Sequence, residues 1–312
     1  MSEPQPTERL TRALANKVVL MTGGTHGIGL VVARQLAALG AKLYLVAPDR
    51  TDAEKAVARE VAANITHASG AQVCLFFGDL SSQAEVRRIA REFINTGDPL
   101  HILINNAGVL GTQHRQVTKD GLELLFGLNY LAQFTLTNTL LPKLIQSSPA
   151  RVINVASGVS EDMKFDLENY NAERDYHFLK QYAFSKLCII VFTRELAKRL
   201  QGTGVTANCL HPGLVYTGIA RSAGLLYSLG LRWRARKYAQ STEKAAETYL
   251  YLAAAPEMKD VSGSYFHNKQ EVPLTPAALS DDNASKLWAL SQRLTGDEKT
   301  PRLGSDAGVG TY

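Results

Sequence analysis

Cysteine is scarce. Cys74, Cys188 and Cys209 stand far apart in apolar runs, and neither their odd number nor their spacing gives a C-x-x-C pair, which excludes a disulfide framework and a zinc site. They read as buried free thiols, and no metal site is expected. Nowhere do about 18 apolar residues follow one another, the length a membrane-spanning helix requires. The stretch from Met1 to Lys17 carries Glu3, Glu8 and two prolines before any apolar run, without the basic and then apolar leader of an exported chain, so a cytoplasmic location is expected. A run of one charge is missing as well: 34 Lys and Arg against 29 Asp and Glu leave +5 spread along the chain, with no basic arm for nucleic acid. Tandem repeats and Pro- or Gly-rich linkers are lacking too, which favours one domain over two despite 312 residues.

What is present is a rhythm. With 45% apolar and 20% charged residues the chain has the makings of a soluble globular protein. Short β-rich runs (17–22, 42–47, 71–77, 101–105, 151–156 and 205–210) alternate with helical patterns (27–39, 52–68, 83–95, 119–145 and 176–200). Strands separated by helices of ten or more residues form a parallel sheet covered on both faces, and right-handed crossovers make it a doubly wound α/β fold. The reading places an N-terminal extension at 1–15, one domain at 16–294 and a fraying Gly-, Asp- and Lys-rich tail at 295–312. Within the domain, an insertion at about 213–240 interrupts the last crossover and would overhang the ligand-binding edge of such a sheet.

The first strand runs straight into Thr22, Gly23, Gly24, Thr25, His26, Gly27, Ile28 and Gly29, and a helical apolar pattern starts at Leu30. Strand, glycine loop and helix in that order let a backbone approach a pyrophosphate, whose charge then rests on the unpaired amides of the helix N-terminus. Gly23, Gly27 and Gly29 are the binding candidates. A glycine loop alone also suits any tight strand-to-helix turn.

Four motifs together resemble a family: Thr-Gly-x-x-x-Gly-Ile-Gly at 22–29, Asn105-Asn106-Ala107-Gly108 after the fourth strand, Ser157 after the fifth, and Tyr182-x-x-x-Lys186 on the next helix. The chain is similar to short-chain dehydrogenases/reductases over residues 17–267. Lys119 to Glu123, Leu140-Leu141-Pro142, Ser185-Lys186-Leu187, His211-Pro212-Gly213 and the 25-residue step from Ser157 to Tyr182 resemble the retinol-dehydrogenase-like branch. The resemblance implies a Rossmann-like fold, with Asp79 and its neighbour Leu80 at the adenine edge, Asn106 under the adenosine ribose with Ala107 and Gly108 beside it, and Pro212, Gly213, Val215 and Thr217 holding the nicotinamide carboxamide. For Asp79 and Asn106 the plainer alternative is a turn residue capping a local amide, and for Pro212-Gly213 an ordinary proline turn.

Cofactor choice turns on the end of the second strand, where a carboxylate would bond the ribose of NAD and repel the 2′-phosphate of NADP. That position holds Ala47, and Arg50 and His26 stand nearby, so NADP(H) is favoured over NAD(H); Pro48 occupies the place of the usual arginine clamp.

Tyr182 and Lys186 lie one helical turn apart on one face. A neighbouring ammonium favours phenolate and so suits tyrosine to proton exchange with an alcohol or carbonyl. By the resemblance, Lys186 also holds the nicotinamide ribose, Ser157 bonds the substrate oxygen where charge develops, and Asn129 seats a water in a proton relay. The expectation is an NAD(P)-dependent oxidoreductase, a reductase using NADPH being favoured, acting on an alcohol/carbonyl pair; the alternatives are reduction of a carbon–carbon double bond and a non-catalytic dinucleotide sensor. The insertion, rich in Leu225, Leu226, Tyr227, Leu229, Leu231 and Trp233 and followed by Arg234, Arg236 and Lys237, suggests a lipophilic substrate and leaves a peripheral membrane contact open. The sequence around Asn129 is apolar nearly all round, which implies burial against the sheet and a partner subunit, in line with the homodimer or homotetramer that the resemblance implies through the helices 119–145 and 176–200.

Overall fold

Strand β1 (Val18–Thr22) sends Val18 and Leu20 into one apolar core and Val19 and Met21 into another, and all five of its residues are buried. A strand with both faces covered reads as a continuous apolar run, and this one sits mid-sheet. The computed structural model describes residues 13–160, 163–215 and 239–297. After β1 come α1 (Gly27–Ala38), β2 (Lys42–Ala47), α2 (Asp52–Ser69), β3 (Val73–Phe77), α3 (Gln83–Asn95) and β4 (Ile102–Asn105). The second half holds α4 (Ala132–Gln146), β5 (Ala150–Val155), α5 (Phe178–Arg199), β6 (Val205–Leu210), α6 (Thr242–Ala254), β7 (Tyr265–His267), β8 (Gln270–Glu271), α7 (Pro276–Leu279) and α8 (Asp281–Thr295).

The sheet runs β3-β2-β1-β4-β5-β6-β7-β8, parallel except for the antiparallel last pair. It is the doubly wound Rossmann-like sheet expected, extended by β7 and β8, two strands too short for a periodicity reading to find. Chain direction across the sheet reverses between β1 and β4, which opens a crevice at their carboxyl ends. One core lies under α3, α4, α5 and α8, the other under α1, α2 and α6. Local chemistry sets the helix ends. Thr51 accepts a hydrogen bond from the Glu54 amide to start α2, and Gly70, with φ at 71°, ends it in the left-handed conformation.

The helix expected over 119–145 begins only after Glu123. Gly121, with φ at 77°, turns the chain, Val117 bridges Glu123, and the buried Glu123 carboxylate accepts from the Phe126 amide at 2.9 Å, capping the new helix. Its first full turns, Phe126–Leu131, are wound as a π-helix before α4 proper. The packed body reaches further at both ends than the sequence reading placed it. Leu14 is buried and its amide bonds Leu39, because it plugs the floor of the second core; Thr295 completes α8, whose side chain bonds back to Ser291. Most of the insertion, including its apolar and basic residues, lies outside the described residues. Among the described residues no helix is long and apolar enough to cross a membrane.

A polar ladder crosses the first core. The Asn105 amide of β4 donates to Thr137 of α4 at 2.9 Å and to Asn154 of β5 at 2.8 Å, and Asn154 donates to Thr193 of α5 at 2.9 Å. All four are fully buried. Replacing Asn154 by Leu removes a partner from both Asn105 and Thr193, so the urea midpoint should fall by an amount worth about 2–6 kcal/mol, at about 1–3 kcal/mol per buried group left unsatisfied.

Candidate active site

The carboxyl ends of β1, β4 and β5 open into a cleft of about 1010 Å³. At one end the β1–α1 loop wraps tightly. Gly23 has φ at 69°, and a Cβ on Gly29 would stand 2.1 Å from the Gly23 carbonyl oxygen, so the helix can approach its own loop this closely only because that position has no side chain. His26 precedes α1 with no side-chain cap and no acidic residue lies in the first turn, and Thr25, His26, Gly27 and Ile28 line the cleft at this helix start.

Thr22 stands behind this wall. Its hydroxyl accepts from the Asn106 and Ala107 amides, each at 3.0 Å, while the Asn106 side chain donates to the Thr22 and Gly23 carbonyls, each at 3.0 Å. Asn106 is therefore a brace that sets the glycine loop as well as a lining residue. Tyr249 of α6, which no motif singles out, completes the brace by donating to Asn106 Oδ1 at 3.1 Å and reaches the cleft wall. Asp79 and Leu80 line the cleft too, yet Asp79 Oδ1 also accepts from the Ser81 amide at 2.9 Å and hydroxyl at 2.7 Å, the capped turn given as its alternative. Arg50 is exposed at the rim, its neighbour Asp49 held by Lys55 at 2.5 Å, and His26 is exposed with Nδ1 2.9 Å from the Thr25 hydroxyl.

At the other end stand Ser157, Tyr182 and Lys186. Tyr182 and Lys186 come from α5, and the Lys186 ammonium lies 5.7 Å from the centre of the Tyr182 ring. Lys186 is 3% exposed, donates to the Val155 carbonyl at 2.9 Å and is pushed down to about 7 by burial. Asn129 does not line the cleft. Its side chain accepts from the Val109 amide at 2.8 Å and donates to the Val109 carbonyl at 3.0 Å and to Ser185 at 3.2 Å, clamping the strand-end loop that includes Gly108. A Cβ on Gly108 would meet both Asn129 Oδ1 and Lys186 Nζ at 3.3 Å, so the wall between them is one backbone thick.

Pro212, Gly213 and Val215 line the cleft beyond β6, and Thr217 lies outside the described residues. Beneath them is a pair the sequence reading missed. The His211 and His267 rings stack at 3.8 Å and 7°, the Gly213 amide donates to His211 Nδ1 at 3.3 Å, and His211 is pushed down to about 4, first by burial and then by His267. Gln240 donates through its side chain to the Pro212 carbonyl and through its backbone to the Leu214 carbonyl. No sequence spacing signals these contacts, which join β6, β7 and the end of the insertion.

A doubly wound sheet with a glycine loop at its switch point and Ser, Tyr and Lys at the far end of the same cleft defines a dinucleotide-fold oxidoreductase. The chain belongs to the short chain dehydrogenase family, whose model matches residues 17–225. It is 39% identical to retinol dehydrogenase 12 of Mus musculus over 284 residues, 91% of this chain and 87% of that protein. Retinol dehydrogenase 13 of Homo sapiens is 39% identical over 294 residues, with 91% and 86% covered. Among solved structures, an uncharacterized protein from Mycobacterium paratuberculosis superposes with a TM-score of 0.70 at 29% identity, covering 91% of this chain and 94% of that one. The RhlG/NADP active-site complex of Pseudomonas aeruginosa gives 0.64 at 27%, covering 82% and 96%.

Burial of Lys186 has a consequence for stability. The folded chain releases this proton near pH 7, whereas an unfolded lysine keeps it to about pH 10.5. Between those limits the unfolded state binds more protons, so stability should rise with pH, by at most about 1.4 kcal/mol per unit from this group. Urea unfolding at pH 7, 8 and 9 should show the rise, and Lys186→Met should flatten it.

Proposed function

We propose that the protein transfers hydride between a nicotinamide dinucleotide and an alcohol/carbonyl pair on a lipophilic substrate, with Tyr182 as general acid and base. The observation that carries the reading is the placement of Lys186, a buried cation, beside the Tyr182 ring in the cleft that also holds Ser157 and the glycine loop. The glycine loop fits a dinucleotide because a side chain at Gly29 would occupy the space where helix and loop meet, and the α1 amides beside it suit a pyrophosphate. Bound there, the nicotinamide supplies or accepts the hydride at C4.

The residues of the chain manage the proton and the charge. When a carbonyl is reduced, the Tyr182 hydroxyl gives its proton to the substrate oxygen; in the reverse direction its phenolate takes the proton from the alcohol. Lys186 stabilises the negative charge on Tyr182, and its remaining donors suit ribose hydroxyls. Ser157 donates a hydrogen bond to the oxygen on which negative charge develops. Asn129 acts through Val109, by fixing the wall that separates it from Lys186.

Substrate class is read from the apolar part of the cleft lining. Leu110, Val159, Met163, Leu179, Leu214 and Val215 belong to it, and Tyr182 itself packs on the small apolar cluster of Leu110 and Phe178. The relatives are retinol dehydrogenases by name, which agrees with a long apolar alcohol. NADP(H) is favoured because Ala47 brings no carboxylate to the end of β2 while Arg50 and His26 line the rim, and solved relatives were captured with NADP and NADPH.

Tyr182→Phe should lower turnover of lipophilic aldehydes by roughly two to four decades with the dinucleotide Kd nearly kept, the usual weight of a general acid. Unchanged turnover would refute the assignment. Arg50→Ala should raise the KM for NADPH about tenfold and leave that for NADH alone, the effect of losing one charge-assisted hydrogen bond at a solvated rim.

A further inference from the structure

The turn after β6 lies where a bound dinucleotide would present its reactive ring. β6 pairs with β5, Val155 beside Leu210, and the Ala156 amide donates to the Leu210 carbonyl at 2.8 Å, so the chain leaves β6 beside the strand end that bears Ser157. Pro212, Gly213, Leu214 and Val215 then line the same cleft as Ser157, Tyr182 and Lys186. Gly213 has φ at 74°, the left-handed conformation taken after the proline of such a turn. A turn lacks the partners of a regular element, so its polar backbone groups must be held from elsewhere.

They are held by three side chains that the proton chemistry does not use. The Gly213 amide donates to His211 Nδ1 at 3.3 Å, the His211 carbonyl lies 3.3 Å from His267 Nδ1, and the Pro212 carbonyl accepts from the Gln240 side chain. These bonds assign both ring protons. His211 accepts at Nδ1, so its proton sits on Nε2; His267 donates at Nδ1, which leaves its Nε2 to accept from the Asn268 amide at 2.9 Å. Both rings are then uncharged, as stacking at 3.8 Å requires, since two cations at that separation would repel. Burial, and then His267, pushes His211 down to about 4, so the acceptor is kept in neutral solution.

His267 is itself placed by a helix. Asn268 and Lys269, with φ at 48° and 65°, turn the hairpin between β7 and β8. The Lys269 amide donates to the Thr248 hydroxyl at 3.2 Å, and its ammonium pairs with Glu247 at 2.8 Å. Thr248 and Glu247 belong to α6, whose Tyr249 braces Asn106 and with it the glycine loop. One helix thus ties down both ends of the cleft.

We infer that His211 and His267 are positioning residues for the dinucleotide: through the Gly213 amide and the His211 carbonyl they set the 212–215 turn against the nicotinamide half, and leave the adenosine half to the glycine loop. The inference rests on the dinucleotide reading proposed above.

NADPH and 2′,5′-ADP, which lacks the nicotinamide, should be titrated against the full chain by fluorescence and competition; if NADH binds more tightly, NADH and ADP replace them. His211→Phe keeps a stacking ring without Nδ1 and should raise the Kd of the dinucleotide about tenfold, the weight of one hydrogen bond, while that of the nicotinamide-free ligand stays at the native value. His211→Asn, whose side-chain oxygen can accept from the amide two residues on, should recover most of the lost affinity. His267→Phe, at a half-buried hairpin residue, should show the same selective loss and decides the matter should His211→Phe fail to fold. Phe variants that bind the dinucleotide as the native chain does, or that lose both ligands alike, overturn the inference, as does His211→Asn binding no better than His211→Phe. A native chain that binds neither NADPH nor NADH refutes the dinucleotide reading, and the inference falls with it.

Discussion

The asparagine ladder from Thr137 through Asn105 and Asn154 to Thr193 is the interaction on which the site depends. Apolar packing is non-directional and would tolerate a slip between neighbouring elements, whereas a buried amide between two partners tolerates almost none. The ladder joins β4 to β5 and each strand to its helix at their carboxyl ends. Three residues beyond Asn154 comes Ser157, and two turns before Thr193 on α5 stands Lys186. One residue beyond Asn105 comes Asn106, which braces the glycine loop together with Thr22 and Tyr249. Four remote segments are thus registered by hydrogen bonds that solvent cannot reach.

Against this rigid frame one group is held at a cost. Lys186 is buried, and burial pushes it down to about 7; among the described residues its ammonium donates to the Val155 carbonyl and pairs with no carboxylate. A cation kept out of water without a carboxylate destabilises the folded chain, a pattern common where a positive charge is needed for chemistry rather than for folding. Gly108 and the Asn129 clamp form the thin wall against which that ammonium rests. Helix α5 presents this charge to the cleft on one side and the ring of Phe192 to Trp288 on the other, so docking of α8 also stiffens the element that carries Tyr182 and Lys186.

Much of this is legible in the sequence. The βαβ rhythm gave the doubly wound sheet because strands buried on both faces and amphipathic helices have different periods, and the glycine loop announced itself by its place between a strand and a helix. The helix start after Glu123 was not legible from apolar periodicity, since a capped turn at Gly121 interrupts an apolar pattern that otherwise continues. Strands β7 and β8 are too short to show a period. Tyr249, His267 and Gln240 lacked any local signal, since each matters through a partner far away in sequence, and the His211-Pro212-Gly213 segment gave no sign of the ring that stacks on His211.

The division follows from the range of the forces involved. Sequence alone determined the family, the order of the elements, and the residue types Ser157, Tyr182 and Lys186 with their one-turn spacing, because those are properties of neighbouring residues. Only the tertiary structure decided that Asn129 braces the wall without lining the cleft, that Asn106 braces it as well as lining it, and that Tyr130 and Phe134 near Asn129 are covered by α8. Hydrogen-bond partners and the cover over a helix are set by which distant segments meet, and an apolar pattern reads the same whether a second chain or the same chain covers it.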